Sequence, residues 1–223
     1  MRALIFIKRT FIISTLALAL TLNLFVLSSP VEAGEFEGLI YVSMMRGFDA
    51  PPTDLKYFVK PNKLRIETYI NQFSKISEIK IFDFDAGKMF TIMPDEKQYF
   101  ETELTKKSGL ADEPNGAAEQ VDLFKPEKTD ETEIFHGYTC EQWIIKEGDE
   151  LEIEMWVAKG FSPVEGIGGK VPIEGGNVTP FKTITRFDGE EVSRIEITKI
   201  TDRKIDDDKF QAPKGYKKIS LGE

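Results

Sequence analysis

ISEIKIFDFDAGKMFTIMPDEKQYFETE, residues 76–103, reads as three strands joined by two turns. The segments ISEIKIFDF (76–84), KMFTIMP (88–94) and KQYFETE (97–103) place apolar residues at every second position, the period of a half-buried strand. Asp85-Ala86-Gly87 and Asp95-Glu96 separate them with turn chemistry, so the stretch predicts an antiparallel meander. Working backward, LKYFVK (55–60) and KLRIETYI (63–70) flank Pro61-Asn62 and predict a hairpin, and the alternation Phe36, Gly38, Ile40, Val42, Met44 predicts a first strand.

Working forward, residues 104–131 change character. Gly109, Pro114, Asn115, Gly116 and Pro126 interrupt a mainly polar stretch, which predicts a long connection with a short helix over 117–124. Strands resume in TEIFH (132–136), YTCEQWIIKE (138–147) and ELEIEMWVAK (150–159), the last two joined at Gly148-Asp149. The stretch 160–180 holds six glycines and three prolines and reads as a loop. FKTITRFDG (181–189) and EEVSRIEITKITDRKI (190–205) form a further hairpin before the tail. About ten strands in sequence-adjacent hairpins, with no long helical period, predict a mainly β domain built on one antiparallel sheet large enough to curl.

The N-terminus reads as a secretory signal over residues 1–33: Arg2, Lys8 and Arg9 precede an uncharged apolar run from Phe11 to Leu27, and Val31 and Ala33 supply the small residues for cleavage after Ala33. The rival reading keeps the run as an uncleaved anchor, since a membrane-spanning helix needs about 17–25 apolar residues. A single domain then covers 34–223, and the product is expected in the periplasm without an integral membrane segment. Loss of three basic residues and one acidic residue takes the formal charge from −9 to −11. That charge repels nucleic acid and anionic lipid headgroups. Cys140 is the sole cysteine, so no internal disulfide exists, and residues 28–38, directly after the apolar run, hold no cysteine to carry a lipid anchor.

The chemistry-bearing residues point away from catalysis. His136 is the only histidine, which excludes a multi-histidine metal centre, and beside Gly137 it reads as a turn residue. Cys140 lies in a strand and reads as a buried structural thiol. Asp206–Asp208 and Asp83 with Asp85 lack the glycine and glutamate of a calcium loop, and Gly166, Gly168 and Gly169 lack the framing of a phosphate loop. No metal, cofactor or catalytic residue is expected.

The phrases FEGLIYVSM (36–44), YFVKPNKLRIE (57–67), IFDFDAGKMFTIMPDEKQYF (81–100), HGYTCEQWIIK (136–146) with EMWVAKG (154–160), and DDDKFQAPKGY (206–216) together resemble a family of exported bacterial domains of unknown function. That family is similar to the periplasmic lipoprotein carriers, the LolA/LolB-like superfamily. The resemblance implies a half-barrel of about eleven antiparallel strands with short covering helices, whose concave apolar side receives acyl chains. The long amphipathic helix that precedes the first strand in the carriers is absent here.

Tyr41, Met44, Met45, Phe58, Met89, Met93, Trp143, Met155 and Trp156 give the strands more apolar bulk than one face can bury. Two readings remain: ordinary packing, or an apolar cavity lined by Ile40, Val42, Met44, Phe58, Ile66, Met89, Met155 and Trp156. The expected function is a non-enzymatic binding or carrier protein for an apolar ligand, a lipid or an acylated peptide or lipoprotein. The alternative is an envelope interaction protein that docks a protein partner through the loop 160–180 or a sheet edge.

Overall fold

In the computed structural model, described residues are 36–47, 51–70, 74–104, 126–158, 161 and 180–220. The proposed signal segment, the 117–124 helix and most of the 160–180 loop lie outside them. The strands are β1 (Gly38–Arg46), β2 (Thr53–Lys60), β3 (Lys63–Ile70), β4 (Lys75–Asp83), β5 (Lys88–Met93), β6 (Gln98–Glu103), β7 (Glu127–Phe135), β8 (Tyr138–Glu147), β9 (Leu151–Ala158), β10 (Pro180–Phe187), β11 (Glu190–Asp202) and β12 (Lys217–Lys218). They form one sheet in the order β12-β6-β5-β4-β3-β2-β1-β11-β10-β9-β8-β7, antiparallel except for β12 on β6.

Two meanders, β1–β6 and β7–β11, are therefore sewn together where β1 meets β11. The expected antiparallel β class holds, with twelve strands in place of ten to eleven. The described residues contain one helical element, the 3₁₀ turn Asp207–Phe210. β7 also begins earlier than expected: the connection read as loop through residue 131 is strand from Glu127.

Turn chemistry sets the registers. His136-Gly137 and Asp188-Gly189 each place two successive residues at positive φ, 51° and 87° in the first pair and 52° and 78° in the second. This is the backbone twist that two-residue hairpins between right-twisted strands require. Pro61 then Asn62, at φ 58°, turns β2 into β3 so that Lys60 faces Lys63.

Side-chain alternation divides the core between two faces. On β1, Ile40 and Val42 join one cluster with Val59, Leu64, Phe82, Cys140, Trp156, Ala158, Phe161, Phe181 and Ile197. Leu39 and Tyr41 point the other way, to Phe58, Ile79, Ile81, Ile92, Ile205 and Phe210. The first face is concave, because groups from non-neighbouring strands meet on it. His136 Nε2, in the β7–β8 turn, lies 2.7 Å from the Ile197 oxygen of β11, and Tyr138 of β8 packs 5.3 Å from Phe181 of β10. Register shifts at Tyr41/Val42 and Thr68/Tyr69 add local bend.

Over the β1–β6 half, the opposite face is covered by the segment that follows β11. After β11, residues 203–219 cross the sheet as a strap. The Ile205 amide donates to Glu37 at 2.7 Å, Lys60 pairs with Asp207 at 2.7 Å, and Arg65 Nη1 donates to the Lys209 carbonyl at 3.1 Å. Ile205 and Phe210 are buried, and Lys217 and Ile219 hydrogen-bond to the Lys97 and Tyr99 carbonyls at 2.9 Å.

Glu101 anchors the far end of this strap. Hydrogen bonds from Lys218 and Lys88, at 2.6 and 2.8 Å, pull its carboxyl from 4.5 down to about 2. A depressed folded-state value means the anchor contributes fully above the ordinary carboxylate range and is lost as pH falls from about 4.5 toward 2. Acidification through that window is expected to lower the protection of the Lys217 and Ile219 amides, their exchange measured against the intrinsic rate at each pH, before the sheet unfolds, and Glu101→Gln should produce the same loosening at neutral pH. Equal exchange in the variant and the parent at neutral pH would remove the anchor role.

Gly38 is required by a close backbone approach. A Cβ there would be driven into the Thr201 carbonyl oxygen and to 2.8 Å from the Phe36 ring. Gly38→Ala is expected to cost about 1–3 kcal/mol, read as a lower unfolding midpoint.

Candidate functional site

The structure distributes seven of the eight nominated residues over three clusters and leaves Met44 outside them. Ile40, Val42 and Trp156 are buried in the concave-face cluster, with Ile66 and Met89 packed against it. Phe58 belongs to the strap-covered cluster on the opposite face. Met155 joins Trp143, Ile145 and Val157 in a third cluster on β8 and β9. Met44 is half-buried and pairs in register with Thr53.

The concave cluster is richest in aromatics where the two meanders meet. Tyr138–Phe161, Phe161–Phe181 and Tyr138–Phe181 have ring centroids 4.9, 5.0 and 5.3 Å apart, with Phe36 5.8 Å from Phe161 and Phe135 5.7 Å from Trp156. Rings at these separations gain edge and offset contacts beyond simple burial. Of this group, sequence reasoning nominated Trp156 as a cavity residue and read Phe36 only as the first apolar position of the β1 alternation. Phe161 stands inside the glycine-rich stretch, where no periodicity marks it; its only sequence signal is a large apolar side chain among glycines and prolines.

His136 occupies the turn that the sequence indicated and stacks on Phe181 at 6.4 Å between ring centroids. Cys140 is fully buried, and that burial pushes its thiol up to about 12, so it stays protonated at neutral pH. Among the described residues no three His, Cys, Asp or Glu side chains converge as metal ligands.

An open groove of about 450 Å³ lies at the Thr53 end of β2 and the Ile70 end of β3. Pro51, Pro52, Thr53, Thr68, Tyr69, Ile70 and Ser77 line it, and their exposed surface is mostly apolar. Ile70 is 47% exposed, a large aliphatic side chain left facing solvent at the groove. Met44 adjoins this lining through its pairing with Thr53; the other seven nominated residues are not part of it.

One wall of the groove is held by a buried ionic triad. Glu67 is 5% exposed and accepts from Arg65 Nε at 2.9 Å, from Arg65 Nη2 at 2.6 Å and from the Tyr69 hydroxyl. Burial first, and the bond to Glu67 second, hold the Tyr69 phenol well above its usual range, so it remains a proton donor. The triad fixes the Tyr69 ring as a rigid wall.

A family model described as a domain of unknown function (DUF4412) matches residues 36–171. No curated protein matches the sequence. Among solved structures, the chain is similar to a chain of the Pseudomonas aeruginosa MucA/MucB complex with a TM-score of 0.50 and 9% identity, covering 81% of this chain and 56% of that one. An uncharacterised conserved protein from Thermus thermophilus gives a TM-score of 0.47 at 6% identity, covering 82% of this chain and 90% of that one. The chain thus spans little more than half the length of its match in the MucA/MucB complex, and the likeness is one of fold. Among the described residues no helix is long and apolar enough to cross a membrane.

Proposed function

Since the chain belongs to the DUF4412 family, whose description assigns no activity, we propose from its own side chains an exported, non-enzymatic binding protein for an apolar ligand. The ligand class is a lipid or an acylated peptide. The observation that carries this reading is the groove at Pro51, Pro52, Tyr69 and Ile70: its volume of about 450 Å³ suits an acyl chain, and its lining is mostly apolar. Burial of apolar surface, at about 25 cal/mol per Å², drives the binding without a charged contact.

The absence of bond chemistry belongs to the same proposal. The one thiol is buried and protonated, and the one histidine spends Nε2 on the Ile197 carbonyl, 2.7 Å away. Met44, half-buried on β1, extends the lining through its pairing with Thr53.

Native mass spectrometry of the protein purified from the periplasm without detergent, followed by solvent extraction, tests the proposal. Recovery of a stoichiometric lipid or acylated molecule is expected, and Ile70→Asp should weaken binding of added fatty acid by about tenfold. A clean apo mass that also ignores added fatty acids and phospholipids would overturn it.

A further inference from the structure

The two ends of the sheet are treated differently. Among the described residues, the β6 edge is covered by β12, whereas β7 ends the strand order at the other side. Seven of the nine residues of β7 are exposed, and Ile134 is 71% exposed, the most exposed large apolar side chain among the described residues. A strand in that position presents backbone donors and acceptors to any extended chain that can lie beside it.

The side chains select which chain that is. Glu127, Asp130, Glu131 and Glu133 place four carboxylates on nine residues, and the only base of the strand, Lys128, is turned back onto Glu141 of β8 at 2.8 Å. Between Lys128 and Thr132 the register shifts. There Thr129 Oγ1 donates to Gln142 Oε1 at 2.8 Å and the Glu131 amide donates to Thr129 Oγ1 at 3.2 Å, which fixes the irregular half of the strand. The half from Thr132 to Phe135 pairs regularly with Glu141 to Tyr138, and Phe135 is seated on Trp156. The regular half is therefore a rigid, acidic template with one apolar anchor, Ile134.

We propose that β7 is a docking edge for an extended segment of another protein in which basic and apolar residues alternate. The segment adds as a further strand: its main chain completes the ladder, its lysines or arginines face the carboxylates, and one apolar side chain covers Ile134. A second copy of this chain does not fit, because it would bring its own four carboxylates against the same edge. The site is separate from the groove on β2 and β3, which lies on the other meander.

The probe is a synthetic peptide of four Lys-Val repeats, with a Glu-Val peptide of equal length as control, titrated by calorimetry at low salt. Saturable binding of Lys-Val with a dissociation constant on the order of 100 µM is expected, falling steeply with added salt. Hydrogen exchange should slow at residues 132–135 on binding. Glu131→Lys/Glu133→Lys should weaken binding at least about tenfold. Ile134→Thr, which keeps β-branching, should weaken it less, and circular dichroism reports whether both variants stay folded. No saturation up to about 1 mM, equal binding of Glu-Val, or protection confined to residues outside β7 would each overturn the proposal.

Discussion

Phe210→Ala will lower stability by about 3–5 kcal/mol, although residue 210 follows all but two residues of the sheet's strands. Its ring is 3% exposed and packs with Ile79, Ile81, Ile92 and Phe58, so truncation opens a cavity beneath the strap that flanking backbone cannot fill. For a domain of this size each kcal/mol moves the midpoint by about 2–4 °C, so calorimetry should read a loss of about 10 °C. Deleting everything after Asp202 removes Ile205 and Phe210 together and uncovers the face they bury. Against a total of about 5–15 kcal/mol, that deletion is expected to leave a chain that does not fold cooperatively. A deletion variant that melted with the parent would show the strap to be an ornament rather than part of the core.

Arg65→Met is the second large effect. The substitution keeps most of the volume over the Phe58 ring, 5.6 Å from the guanidinium, but leaves the Glu67 carboxylate buried with Tyr69 as its remaining partner in the triad. Breaking one side of a buried pair costs about 3–5 kcal/mol, far more than the pair itself contributes relative to apolar residues. Arg65→Met/Glu67→Leu should therefore recover most of the loss. Urea unfolding of the four chains of this cycle gives the coupling directly; a double variant as unstable as the single would place the cost in lost packing, not in the orphaned charge. Because Tyr69 lines the groove, the proposed binding of added fatty acid should weaken in the single variant as well.

The strands were legible wherever one face is buried and the other wet, as in the hairpin around Pro61-Asn62 and the meander from Ile76 to Glu103. Legibility failed where that contrast vanishes. β7 was read as loop through residue 131 because an exposed edge strand carries polar residues on both faces. The strap has no period at all: Ile205, Phe210 and Tyr216 are spaced by where the chain crosses the sheet, not by a helix or strand repeat. For the site, alternation identified apolar positions but not which face each belongs to. Ile40, Val42, Ile66, Met89 and Trp156 share the concave side, while Phe58 and Met155 lie in other clusters. The groove itself went unread because Pro51 and Pro52 fall between two strand-like segments.

The seam between β1 and β11 governs when this molecule can become itself. Gly38 pairs with Asp202, so the first strand to emerge has one flank empty until almost the whole polypeptide has followed it. Hairpins such as β2–β3 can form early, but the sheet cannot be completed while the second half of the chain is still missing. A chain made from its N-terminus onward thus stays incomplete along one flank, and commits to its final shape only once β11 has arrived to join both halves.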